Sequence, residues 1–172
     1  AIGVSAPQRL PGVDVPTRGV RVVHDTIETF LRAMNPQFHH VGLAVLPPAT
    51  GTTWADQCSP PTTPTAASYD SASARYLIAG LSSDFASPPG TLNTGSTLVD
   101  RVRCQQVGGG RTGYAGAIDA ARTELQANGR PGVKKVIIFL SDGAANYGGN
   151  PEPPSYRFQP CQAGVNAAAA AK

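Results

Sequence analysis

A chain of 172 residues is long enough for one domain with a real core and short for two. Hydrophobic residues make up 41% and charged residues 15%; with 19 glycines and 16 prolines, this excludes a coiled coil and implies long, turn-rich connections. The formal charge is +3 with no basic cluster longer than Lys134-Lys135, which does not support nucleic acid as a partner, and no apolar run reaches the roughly 18 residues of a transmembrane helix.

Residues 1–18 carry Pro7, Pro11 and Pro16 without any period and read as an irregular N-terminal arm. From Gly19 the pattern changes: Val20, Val23, Ile27, Phe30, Leu31 and Met34 fall at helical spacing on one face, and Asn35-Pro36 ends that helix. His40 to Leu46 is a short apolar run closed by Pro47-Pro48, the pattern of a buried strand. Residues 47–74 are rich in Pro, Thr, Ser and Ala, with Trp54 and Cys58 inside; so long a stretch without periodicity reads as an insertion. Arg75 to Leu81 resumes as a strand. A helix starting near Thr91 or Asn93 would carry Leu98, Val99 and Val102.

Val107 to Gly113 is a glycine-rich loop leading into a helix with Tyr114, Ile118, Ala121 and Leu125 on one face, stopped at Asn128-Gly129 as by a left-handed cap. The Val136 to Leu140 run, within 133–140, is the clearest strand of the chain and reads as a central one covered on both faces. It ends in the turn Ser141-Asp142-Gly143. A polar loop runs to Gln159, and the Ala-rich 161–172 is helical by propensity. Strands and helices alternate, so the expected class is α/β, an open, mostly parallel sheet flanked by helices.

In such sheets ligands bind outside the carboxyl ends of the strands. Asp142 follows the best strand directly, and Thr112 stands at a helix start behind Gly108, Gly109 and Gly110. A threonine hydroxyl and a carboxylate from two loops are hard oxygen donors, suited to part of a Mg²⁺ shell. Each also has a plain structural use: Thr112 as a helix N-cap worth about 1 kcal/mol, Asp142 as a turn former. Cys58, Cys104 and Cys161 are isolated in polar sequence, without C-x-x-C or zinc-like spacing. They favour an oxidising compartment, with one bridge and one odd thiol, over three cytosolic thiols. Ala1 is neither an initiator Met nor part of a basic leader, as expected of a piece of a longer protein.

Taken in order, GGGRTGYAGAIDAARTEL and then VKKVIIFLSDG resemble the second half of a von Willebrand factor A domain. Upstream, VRVVHDTIETFLRAMNPQFHHVGLAVL is similar to that family's first helix and second strand, and RYLIAGLSSD to its antiparallel edge strand. The resemblance spans 19–172, interrupted by the 47–74 insertion. It implies a three-layer fold with a metal-ion-dependent adhesion site, in which Thr112 matches the direct threonine ligand and Asp142 the acidic residue acting through water. Gly108 to Gly110, Ser141 and Gly143 would support the loops, Mg²⁺ (or Mn²⁺ or Ca²⁺) would be the cation, and a partner protein's carboxylate its ligand. On that layout Cys104 and Cys161 fall near the same rim, which implies a disulfide between them.

The family's Asp-x-Ser-x-Ser motif is missing; Asp70-Ser71-Ala72-Ser73 is out of register and lies in the insertion. The chain is therefore expected to be incomplete at both ends, without the strand that carries this motif, and to hold metal weakly or not at all. The expected function is a non-catalytic, metal-dependent adhesion module of an extracellular or bacterial envelope protein, similar to surface proteins linked to pilus assembly. The alternative is a metal-independent assembly scaffold on the same fold. A third reading, a dinucleotide-binding oxidoreductase fragment, rests on Gly108, Gly110 and Gly113 in G-x-G-x-x-G spacing. Against it, the preceding 100–106 is charged, and Asp142 lies later than the acidic residue of that motif. His24, His39 and His40 have no G-x-S-x-G to serve, and no Lys precedes Thr112 to make a phosphate loop.

Overall fold

The computed structural model describes residues 2–3, 16–46, 76–104, 113–141, 145 and 159–172. The insertion at 47–74 lies outside them. The order is β1 (Ile2–Gly3), α1 (Pro16–Ala33), β2 (Val41–Ala44), β3 (Leu77–Ser82), α2 (Thr97–Cys104), α3 (Tyr114–Asn128), β4 (Ile138–Phe139) and α4 (Pro160–Ala170). The class is mixed α/β.

The substance of the described sheet is the antiparallel pair of β2 and β3, in the register Val41↔Ser82, Leu43↔Ala79 and Ala44↔Leu77. Val45 N–H extends the pairing by donating to Tyr76 O at 2.7 Å. The strand order is β3-β2-β1-β4, and the parallel contacts amount to three positions: Ile2 with Leu43, Ile2 with Ile138, and Gly3 with Phe139. Contacts so few do not establish the open, mostly parallel sheet expected from the sequence.

β2 is buried along its whole length because its two faces serve two cores. Val41, Leu43 and Val45 join Ile27 and Leu31 of α1 and Leu98, Val99 and Val102 of α2. Ala44 and Leu46, on the opposite face, join Ala117, Ala120 and Ala121 of α3. The period-two alternation of a strand thus puts helices on both sides of the β2–β3 pair.

The local reasons follow from sequence. Helix α1 begins with Pro16 as its first helical residue, where a missing N–H costs nothing. It ends one residue before the Asn35-Pro36 approach, and its predicted face is the buried one: Ile27 and Leu31 are in the core, with Val23, Phe30 and Met34 packed against it. Ser96 caps α2, its Oγ accepting from Leu98 N–H at 3.2 Å while donating to Asp84 Oδ1 at 2.9 Å. That helix starts at Thr97, later than the sequence suggested, because Asn93 first closes a turn with Ser96. Glu124 of α3 is buried. Its Oε1 accepts from Leu81 N–H at 2.6 Å, and Gly80 leaves the carboxylate room beside β3.

Three expectations are corrected. Ile2–Gly3, in the arm read as irregular, forms a strand between β2 and β4, in the central place where the chain was expected to lack one. The 133–140 run is not a central strand covered on both faces: only Ile138 and Phe139 are in strand conformation, at the end of the described strand order, and Val136, Phe139 and Leu140 are 52%, 38% and 40% exposed. An apolar run signals that a partner exists, but sheet order decides which faces are covered. Gly129 is extended (φ −70°, ψ 136°) rather than left-handed; a methyl there would meet Leu125 O at 2.2 Å, and the positive φ falls on Gly132 in the following turn.

Two predictions come from this packing. Gly116 of α3 lies on the Tyr76 ring, where an added methyl would sit 2.3 Å from a ring carbon. Gly116→Ala is expected to destabilise the fold by about 1–3 kcal/mol, read from the urea midpoint; an unchanged midpoint would contradict close packing of α3 on β3. Separately, Arg103 of α2 hydrogen-bonds Glu28 of α1 at 2.7 Å, and this bond, aided by the guanidinium's charge and opposed by burial, holds the Glu28 carboxyl below its ordinary value. A depressed folded value means the pair contributes fully above the unfolded carboxylate's pKa, about 4.3, and that contribution is lost as pH falls through the folded value. Arg103→Gln should therefore flatten the loss of stability between about pH 5 and pH 3 in urea titrations.

Candidate functional site

The start of α3 is fastened at two points. Gly113 N–H donates to Leu46 O at 2.9 Å, which ties the residue before the helix to the chain just beyond the carboxyl end of β2. One residue on, the Tyr114 hydroxyl and Ser141 Oγ are 2.8 Å apart, so the same helix start is hydrogen-bonded to the segment leaving β4. The Tyr114 ring meets Phe139 edge to face, with centroids 4.7 Å apart and planes at 86°, a favoured aromatic geometry. Gly164 of α4 lies close against Tyr114, where a methyl would approach its Cβ to 2.8 Å.

The segment after β4 is also held further along. Ala145 is buried, and its carbonyl lies 4.0 Å from Cys161 Sγ in the first turn of α4. Ser141 and Ala145 thus lie on either side of residues 142–144, one touching α3 and the other α4.

Of the residues singled out in the sequence, Thr112, Asp142, Gly108, Gly109, Gly110 and Gly143 lie outside the described residues. Ser141 is exposed on the rim, and its hydroxyl is engaged with Tyr114. Cys161 is an exposed free thiol among the described residues, its sulfur 4.0 Å from the Ala145 carbonyl. The side chain of Cys104 lies outside the described residues, as does Cys58. No group of three His, Cys, Asp or Glu converges among the described residues, so these do not form a metal site by themselves. Any fit to a divalent cation rests on the hard oxygen donors Thr112 and Asp142. No described helix is long and apolar enough to cross a membrane.

Sequence reasoning placed Tyr114 on a helix face and missed its part in fastening the rim. The available signal was its size: a lone aromatic at a helix start otherwise built of Ala and Gly needs small neighbours, and Gly164 supplies one of them. No family model, no curated protein and no solved structure matches this chain.

Tyr114→Phe keeps the ring contact with Phe139 and removes the hydroxyl shared with Ser141. It should cost about 0.5–1.5 kcal/mol in urea unfolding, the usual net worth of one hydrogen bond. A loss of several kcal/mol would mean that the ring's packing, not the hydroxyl, had been disturbed.

Proposed function

We propose that the chain is a non-catalytic protein-binding module of the von Willebrand factor A type, built on an open, mostly parallel sheet, and that its binding rim lies where α3 begins and β4 ends. The observation that carries this reading is the double fastening of that helix start. Gly113 bonds to Leu46 just beyond β2 and Tyr114 to Ser141; Gly113 directly follows Thr112, and Ser141 directly precedes Asp142. The hydrogen bonds support a rim on which the two candidate oxygen donors come from two loops at the carboxyl ends of strands, the place where open α/β sheets bind ligands. Helices on both faces of the β2–β3 pair, and the antiparallel placement of β3 after β2, agree with the layout the resemblance implies.

In this reading Thr112 and Asp142 hold the cation, Ser141 orients the turn that carries Asp142, and Gly108 to Gly110 let the loop backbone come close. A divalent ion bound there would offer an open coordination position to a partner's carboxylate. An extracellular or envelope location, with partners met at a surface, belongs to the same proposal.

The test is calorimetric titration of Mg²⁺ and Mn²⁺ into the wild-type chain, Thr112→Ala and Asp142→Ala, with circular dichroism as the check on fold. The expected result is weak, saturable binding in the wild type that each variant lowers at least tenfold without loss of helix signal. Binding that survives Thr112→Ala would remove Thr112 from the site. A wild type that takes up no divalent ion would leave the rim as a metal-independent docking face.

A further inference from the structure

A cavity of about 830 Å³ lies between α3, α4 and the strand β4, within the roughly 300–1,000 Å³ common for small-molecule sites. Its wall on α3 runs from Tyr114 to Gln126, twelve residues and so about 18 Å at the helical rise. Gly164 and Ala168 of α4 form the facing wall. The cavity is therefore elongated, and it follows the seam between two helices rather than the edge of the sheet.

Its two ends differ in chemistry. Around Tyr114 the lining is aromatic and aliphatic, with Phe139, Ile118 and Val165 and no charged group. Towards the carboxyl ends of the helices it includes Arg122, Lys135 and Lys172, and no Asp or Glu among the described residues belongs to the lining. Lys135 is held at that end: its Cε would stand 3.0 Å from a methyl on Gly129, the residue that follows α3. Arg122 is only partly satisfied. One terminal nitrogen reaches Asp119 at 3.3 Å, but its buried Nε has no hydrogen-bond partner among the described residues. Arg122 is partly offset by Asp119, which leaves Lys135, exposed at this end, as a cation without an acidic partner among the described residues.

We propose that this groove binds a single-chain anionic amphiphile, a medium-chain carboxylate. Its aliphatic tail lies along the α3–α4 seam towards Tyr114 and Phe139, and its head group meets Arg122 and Lys135. The Arg122 guanidinium, one terminal nitrogen of which already meets Asp119, can give a carboxylate a further charge-assisted hydrogen bond from its terminal nitrogens, beside the Lys135 ammonium. A second copy of the chain applying the same face would set these cations against their own kind, so charge complementarity favours an anion over self-association. The site uses neither Thr112 nor Asp142 and stands whether or not the rim holds metal.

The experiment is calorimetric titration of decanoate, below its micellar range, into the whole 172-residue chain in the presence of EDTA, with decanol as the uncharged analogue. Saturable one-to-one binding is expected, at least tenfold tighter for decanoate than for decanol. Lys135 is exposed, so Lys135→Gln should keep the fold; alone and with Arg122→Gln it should abolish the preference for the anion while leaving decanol binding unchanged. Ala168→Phe, which fills the groove, should remove both. Equal affinity for decanoate and decanol would overturn the proposal, as would uptake that never saturates or decanoate binding untouched by Ala168→Phe.

Discussion

Helix α3 is enclosed on two sides at once, and it fits only because its residues are small. Ala117, Ala120 and Ala121 lie against the β2–β3 face, while Ala115 and Ile118 face Ala163 and Ala167 of α4. Gly116 makes room for the Tyr76 ring and Gly164 for Tyr114, so a methyl at either point would collide. Close packing of this kind stabilises through many short-range contacts, and a gap of an ångström forfeits a large part of each. The low charge and the richness in Ala and Gly have a mechanical use here: they let two helix layers settle on a narrow sheet. A chain with leucines in these places would need wider spacing and would move the start of α3 away from β2 and β4.

From that constraint comes the rim. A helix fixed along its length by alanines has its first turn fixed too, and Gly113 and Tyr114 then meet Leu46 and Ser141 without further ordering. Glu124 contributes at the other end of the same helix. Its carboxylate accepts from Leu81 N–H at 2.6 Å and from Asn128 at 2.7 Å, joining the last turns of α3 to β3. Losing such a buried acceptor would leave a strand N–H unpaired, at a cost of about 1–3 kcal/mol.

What the sequence showed, and what it hid, divides along the same line. The faces of α1 and α2 were legible because one side of each packs on one core: Ile27 and Leu31, then Leu98, Val99 and Val102, follow helical spacing and are buried. The buried run at β2 was legible for the opposite reason, since a strand covered on both faces is apolar throughout. The run ending in β4 has the same composition but a different fate, because its neighbours are set by sheet order, a tertiary fact absent from local pattern. Ile2–Gly3 was invisible for want of length; two residues carry no period, and only their place between Leu43 and Ile138 makes them a strand. At the site, the residue types of Thr112 and Asp142 pointed to oxygen-donor chemistry. The hydroxyl pairing of Tyr114 with Ser141 joins positions 27 apart, and no spacing rule encodes it.

Tyr114 also links the two regions in which binding is proposed. Its ring closes the apolar end of the α3–α4 groove, and its hydroxyl belongs to the rim. The ring meets Phe139 edge to face and starts beside Gly164, so both neighbours limit where it can move. Any occupant that presses on the ring therefore acts on the Ser141 side as well, but it shifts the rim only by as much as it favours one ring position over another. The cationic end of the groove has no such link. Arg122 lies two helical turns from Tyr114, about 12 Å along the axis, and Lys135 sits beyond Gly129. Substitutions there report on the groove alone, whereas changes at Tyr114 report on both regions, so the cationic end separates the two binding modes.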